Sequence, residues 1–77
     1  LGGWGARNPD SNPKYTELAH YAVSSQAADQ AYYDTVLKLL EVEVQVVAGM
    51  NYRLKFTTAA TNCKVGVDEY SSERCKP

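Results

Sequence analysis

Seventy-seven residues allow one small domain, and a chain of that length buries only about 60 % of its unfolded surface, so its core must be thin. An apolar fraction of 44 % argues against intrinsic disorder. Eight Lys and Arg against nine Asp and Glu, in no run longer than two like charges, exclude a basic stripe for nucleic acid and a polybasic membrane patch, and the longest apolar stretches, such as residues 46–48, are far too short to span a bilayer.

The chain opens at Leu1 without an initiator methionine or a hydrophobic leader, as processing of a longer precursor or recombinant expression of a chosen segment would leave it. Residues 1–13 read as an extended arm followed by a loop. Leu1-Gly2-Gly3-Trp4-Gly5 has no helical periodicity, and Asn8-Pro9-Asp10-Ser11-Asn12-Pro13 is dense in turn chemistry. Ser11 or Asn12 offers an N-cap, with Pro13 where a first helical residue tolerates a missing N–H. Tyr15, Leu18, Ala19, Ala22 and Val23 follow at helical spacing, which predicts one amphipathic helix over about residues 13–28. Its small apolar face suits close packing on a sheet, and the Ala-rich residues 26–31 read as a frayed connection.

From Tyr33 the period changes to two. Leu40, Val42, Val44 and Val46 alternate with Glu41, Glu43 and Gln45, and Tyr52, Leu54 and Phe56 alternate with Arg53, Lys55 and Thr57. Both apolar sets carry even numbers, so facing partners must preserve that parity if both sets share one core. A loop of Ala48, Gly49 and Met50 pairs Val46 with Tyr52, Val44 with Leu54 and Val42 with Phe56, and sets Glu43 opposite Lys55. Gly49 takes the left-handed position of such a loop. The outcome is a long hairpin whose apolar face one helix can cover.

Residues 64–77 are polar and turn-like. Cys63 and Cys75 are twelve positions apart, a spacing of neither a metal motif nor a redox Cys-x-x-Cys pair, and only His20 could join them as a ligand. A disulfide is the reading that fits them. In the chain-entropy model it contributes about 3 kcal/mol, and it points to an oxidising compartment. No metal or cofactor is expected.

Gln45-Val46-Val47-Ala48-Gly49 sits at the tip of the hairpin. With the glycine pair of the arm, one helix, a strand into the motif and a second strand out of it, the chain resembles the cystatins, whose signature is Gln-x-Val-x-Gly on the first hairpin loop. The cysteine pair falls where secreted, type 2 members place their first disulfide. The Asn-Pro-rich arm, Leu18-Ala19-His20-Tyr21-Ala22 and Val46-Val47-Ala48-Gly49-Met50-Asn51-Tyr52 resemble salivary cystatins of blood-feeding ticks. The resemblance spans nearly the whole chain as a single domain, residues 1–77. It implies an α+β cystatin fold, one long helix packed across an antiparallel sheet, with the family's last two strands missing.

The resemblance further implies a secreted, non-enzymatic inhibitor of papain-like cysteine proteases. An amino-terminal trunk and hairpin loops would enter the V-shaped cleft together. Leu1 would reach a substrate pocket, the trunk glycine matches Gly2 with Gly3 the alternative, and Gln45, Val46, Val47, Ala48 and Gly49 would lie beside the catalytic cysteine. Gly49 permits close backbone approach. Val46 or Val47 supplies apolar area, although the register assigns Val46 to the core face. Two features depart from the family. No Pro-Trp step occurs, since the one tryptophan is Trp4, so weaker inhibition is expected. The strand over residues 51–64 is left with an open edge, expected to be filled by a longer chain or by a second chain in a strand-exchanged dimer. Residues 24–34 contain no asparagine for a legumain site.

An enzyme fits poorly. His20 lies mid-helix, with no serine or cysteine arrangement around it, and reads as a surface or boundary residue. Glu41 and Glu43, facing Lys55, read as a solvated charge ladder, and Tyr32 and Tyr33 as core-rim packing. Trp4 either braces the trunk or touches the protease rim. A non-inhibitory binding module of the same fold is the alternative function.

Overall fold

A computed structural model describes residues 2–77, which form β1 (Gly5–Arg7), α1 (Pro13–Ser25), β2 (Tyr32–Val46) and β3 (Met50–Lys64) in that order. The sheet has the order β1-β2-β3, and both pairings are antiparallel. The helix packs on one face of this sheet, so the predicted α+β arrangement of one helix across an antiparallel sheet is the one observed.

The helix begins where the Asn-Pro step dictates. Asn12 is extended (φ −152°, ψ 123°), and its Oδ1 accepts the Lys14 N–H at 3.0 Å, while Pro13 fills the first helical position without wasting a donor. An Asx turn feeds it: the Asp10 N–H donates to Asn8 Oδ1 at 2.9 Å. The helix stops at Ser25, three residues before the expected limit of 28. Ser24 and Ser25 bond back to the carbonyls of His20 and Ala22, which competes with helix continuation, and Gln26 closes the last turn on Ala22. Ala27 is then buried as the chain turns toward β2.

The core lies between α1 and the middle of the hairpin. Tyr15, Val42 and Val44 are buried, and Leu39, Tyr52 and Leu54 pack against them; Ala19 is fully buried too. Each buried valine contributes about 1.5–3 kcal/mol, an upper estimate because the unfolded chain already hides part of its surface.

The register differs from the sequence expectation by two residues. Val46 faces Met50, Val44 faces Tyr52 and Val42 faces Leu54. Parity is preserved, so the apolar face is as expected, but the partners are not. Two physical gains favour this register. Glu43 meets Arg53 (3.0 Å) and Glu41 meets Lys55 (3.4 Å), two cross-strand ion pairs in place of one. The loop also becomes residues 47–49, so that Gly49, not Met50, closes it.

Alternation does not run unbroken to Leu40. Leu40 is an extra residue between the pairs Leu39–Phe56 and Glu41–Lys55, and Leu37 is another between Val36–Thr58 and Lys38–Thr57. Each bulge swaps the faces of the residues that follow, so Leu39 takes the core position while Leu40 and Leu37 are exposed. At the base of the hairpin Thr61 is buried, donating to the Tyr33 carbonyl at 2.8 Å and accepting from the Cys63 N–H at 3.1 Å.

The disulfide between Cys63 and Cys75 is present, with Cα atoms 5.6 Å apart and both residues buried. It ties residues 65–77 to the end of β3. There Lys64 N–H donates to Asp68 Oδ2 at 2.7 Å, and Val65 N–H donates to the Ala31 carbonyl at 3.0 Å.

Candidate functional site

At the tip, Val47 N–H donates to the Gly49 carbonyl at 3.1 Å, and the two residues after Val47 turn the chain with positive φ: 50° at Ala48 and 118° at Gly49. The left-handed region costs an alanine roughly 1–2 kcal/mol, whereas at Gly49 the absent Cβ makes the conformation accessible. A Cβ built on Gly49 meets no described atom within 4 Å, so its outer side is open.

Val46 is 62 % exposed, and Val47, Ala48, Gly49 and Met50 are exposed as well. This corrects the assignment of Val46 to the core. It does lie on the same face as Val42 and Val44, but Tyr15, which packs on Tyr52 opposite Val44, is already in the first turn of the helix. The sheet outruns its cover, and the apolar stripe continues into solvent.

The arm runs to the same end of the molecule. Gly5 pairs with Val44, Ala6 with Glu43 and Arg7 with Val42. Extended in the same direction, the chain brings Gly2 to the loop, where a Cβ on Gly2 would stand 3.3 Å from Val47 Cγ2. Gly2 has φ 83°, a second reason for glycine at that position. Gln45 Nε2 donates to the Gly2 carbonyl, and Gln45 Oε1 accepts from Asn51 Nδ2 at 3.4 Å. Gly2, Gly3, Val44 and Val46 line an open hollow of about 500 Å³ with Trp4 and Arg7. Gly3 is exposed; Leu1 lies outside the described residues.

Two partners escaped the sequence reading. Arg53 stacks on Trp4, its guanidinium carbon 4.1 Å from the ring centroid, and Asn51 bonds Gln45. The first was not readable until the arm was known to pair with β2, and the second waited on the hairpin register, which sets Gln45 directly opposite Asn51. Trp4 thus touches the hairpin through Arg53 and is 37 % exposed.

His20 lies at the other end, half-buried, with Nδ1 2.6 Å from the Tyr70 hydroxyl. Burial lowers its pKa from the ordinary 6.5. The same hydroxyl is 3.1 Å from Thr35 Oγ1, and the Tyr33 ring meets Tyr70 edge-on at 5.4 Å. These are packing and tethering contacts for residues 65–77.

Comparison with known proteins agrees with this geometry. Mialostatin of Ixodes ricinus is 58 % identical over 79 aligned positions, covering 100 % of this chain and 55 % of Mialostatin. Cystatin-2 of Ornithodoros moubata is 47 % identical, covering 99 % of this chain and 59 % of that protein. The chain therefore spans a little over half the length of these curated relatives. Among solved structures, the salivary cystatin of the soft tick Ornithodoros moubata superposes with a TM-score of 0.93 at 47 % identity, over 100 % of this chain and 70 % of that one. The crystal structure of Mialostatin, a gut cystatin of the hard tick Ixodes ricinus, gives 0.87 at 57 % identity, over 97 % of this chain and 69 % of its own. A cystatin-domain family model matches residues 2–77, and the chain belongs to the cystatin family.

Proposed function

We propose that this chain is a secreted, reversible, competitive inhibitor of papain-like cysteine proteases of the cathepsin L, S, B or C type, acting without chemistry of its own. The observation that carries the reading is that Gln45 Nε2 donates to the Gly2 carbonyl, which holds the trunk beside the loop, so near that a Cβ on Gly2 would crowd Val47. Such an end plugs a groove. Val46, Val47 and Met50 offer exposed apolar side chains, and Gly49 leaves room for the backbone of the enzyme to approach. Full burial of each valine in a cleft contributes at most about 1.5–3 kcal/mol. Loop and strands are already ordered, so little conformational entropy is lost on docking. The salivary and gut cystatins among its relatives support export from the cell.

Beyond the tip, β3 pairs on one side only among the described residues. Its second edge would accept strands from a longer form of the chain or, by exchange, from a second copy.

Titration of papain and of a cathepsin L-like protease against a fluorogenic substrate tests the inhibitor reading. Sub-micromolar competitive inhibition is expected, with loss of at least tenfold in Gly49→Trp. Gly49→Ala carries the same backbone strain without the bulk and should lose less. A folded sample that leaves both proteases active at tens of micromolar supports a non-inhibitory binding module instead.

A further inference from the structure

The ladder of β1 reaches only from Arg7 to Gly5, so the sheet does not itself fix the residues that precede Gly5. Side chains from the hairpin do. Gln45 Nε2 donates to the Gly2 carbonyl. On the outer face, Arg53 of β3 reaches across β2 to lie over the Trp4 ring at 4.1 Å. Arg53 is itself oriented: its Nε is 3.0 Å from Glu43 Oε1, and Glu43 stands opposite Arg53 on one side and Ala6 on the other. Arg53, Glu43 and Trp4 thus form a row from β3 across β2 to the residue just before β1.

We infer that Arg53, held by Glu43, is a positioning residue for the trunk: by stacking on Trp4 it keeps residues 2–4 docked beside the loop, so that the apolar end is assembled before any partner arrives. Its consequence for inhibition rests on the function proposed above; the clamp itself does not. A planar guanidinium can pair edge-on with a carboxylate while its face covers an indole. A trunk that spends time undocked lowers apparent affinity by the fraction of molecules in which it is displaced. Arg53 therefore acts through the trunk and needs no contact with the protease.

Trp4 is the one tryptophan, so its fluorescence reports on the clamp alone. Arg53→Ala should raise acrylamide quenching of Trp4 about twofold. Arg53→Lys, which keeps the charge but not the flat face, should resemble it. Unchanged quenching in both variants overturns the clamp. Against papain, Arg53→Ala should weaken inhibition about two- to fivefold, the range a partly exposed cation–π contact supports. It should have no effect in a chain lacking residues 1–3, where no trunk remains to position. An equal loss in the shortened chain overturns the positioning role. If the unaltered chain does not inhibit papain, the proposed function fails while the quenching measurement still decides the clamp.

Discussion

The Tyr70 hydroxyl lies between His20 Nδ1, at 2.6 Å, and Thr35 Oγ1, at 3.1 Å. With a neutral imidazole that carries its proton on Nε2, Tyr70 donates to Nδ1 and can accept from Thr35. Protonation puts a hydrogen on Nδ1, and the row must reverse direction while a charge enters a partly buried site. Burial therefore holds the His20 pKa below its ordinary 6.5 in the folded chain. Between the two values the unfolded chain binds more protons, so stability rises with pH in that window. The contribution is complete above the unfolded pKa and fades as pH falls through the folded one. Urea midpoints should accordingly be lower at pH 5.5 than at pH 7.5, and His20→Gln should flatten that difference. Tyr70→Phe, which takes a shared hydroxyl from both partners, should cost about 1 kcal/mol at pH 7.5.

At the scale of elements, Val42 and Val46 share a strand and a face but not an environment. Val42 is covered by α1, and Val46 is left in solvent beyond it. Val42→Ala removes two buried methyl groups and should lower unfolding free energy by about 2 kcal/mol, whereas Val46→Ala should change it by less than about 0.5 kcal/mol. Chemical denaturation of the two variants checks the contrast, and equal losses would mean that the helix reaches the tip. The strand alternation made the shared face legible from sequence, and Asn12-Pro13 made the helix start legible, because both are local signals. The two bulges were not, since neither Leu37 nor Leu40 is flanked by a glycine or proline, and the Leu39-Leu40 pair offers two equal candidates for one core position. Register was half legible: parity fixed the faces, while the choice between loops one residue apart turned on cross-strand charge pairs. Within the candidate site, the loop stood out as a motif. The trunk's docking did not, because a strand of three residues carries too little pattern and its contacts come from Gln45 and Arg53, far along the chain.

Across the whole molecule, the hairpin separates two tasks by its length. Val46–Met50 is the pair at the tip, and Tyr32–Lys64 is the pair at the base, beside the disulfide. The disulfide closes a loop of twelve positions, for which chain entropy predicts about 3 kcal/mol. A chain of this size has only about 4–12 kcal/mol in total, so the clip is a large share of what holds it folded. Cys63→Ser with Cys75→Ser should therefore lower the melting temperature by roughly 12–24 °C. Residues 65–77, released from the base, should also let Tyr70 leave His20 and Thr35. The tip should be unaffected, because the Gly2–Gln45 bond, the Trp4–Arg53 stack and the loop's own hydrogen bond all lie at the other end of the strands. Protease inhibition measured well below the melting transition should then match that of the disulfide-bonded chain within about twofold, even as stability drops. A parallel loss of both, in samples shown by circular dichroism to be folded, would mean that strain at the base travels the length of the hairpin and that the two ends are coupled.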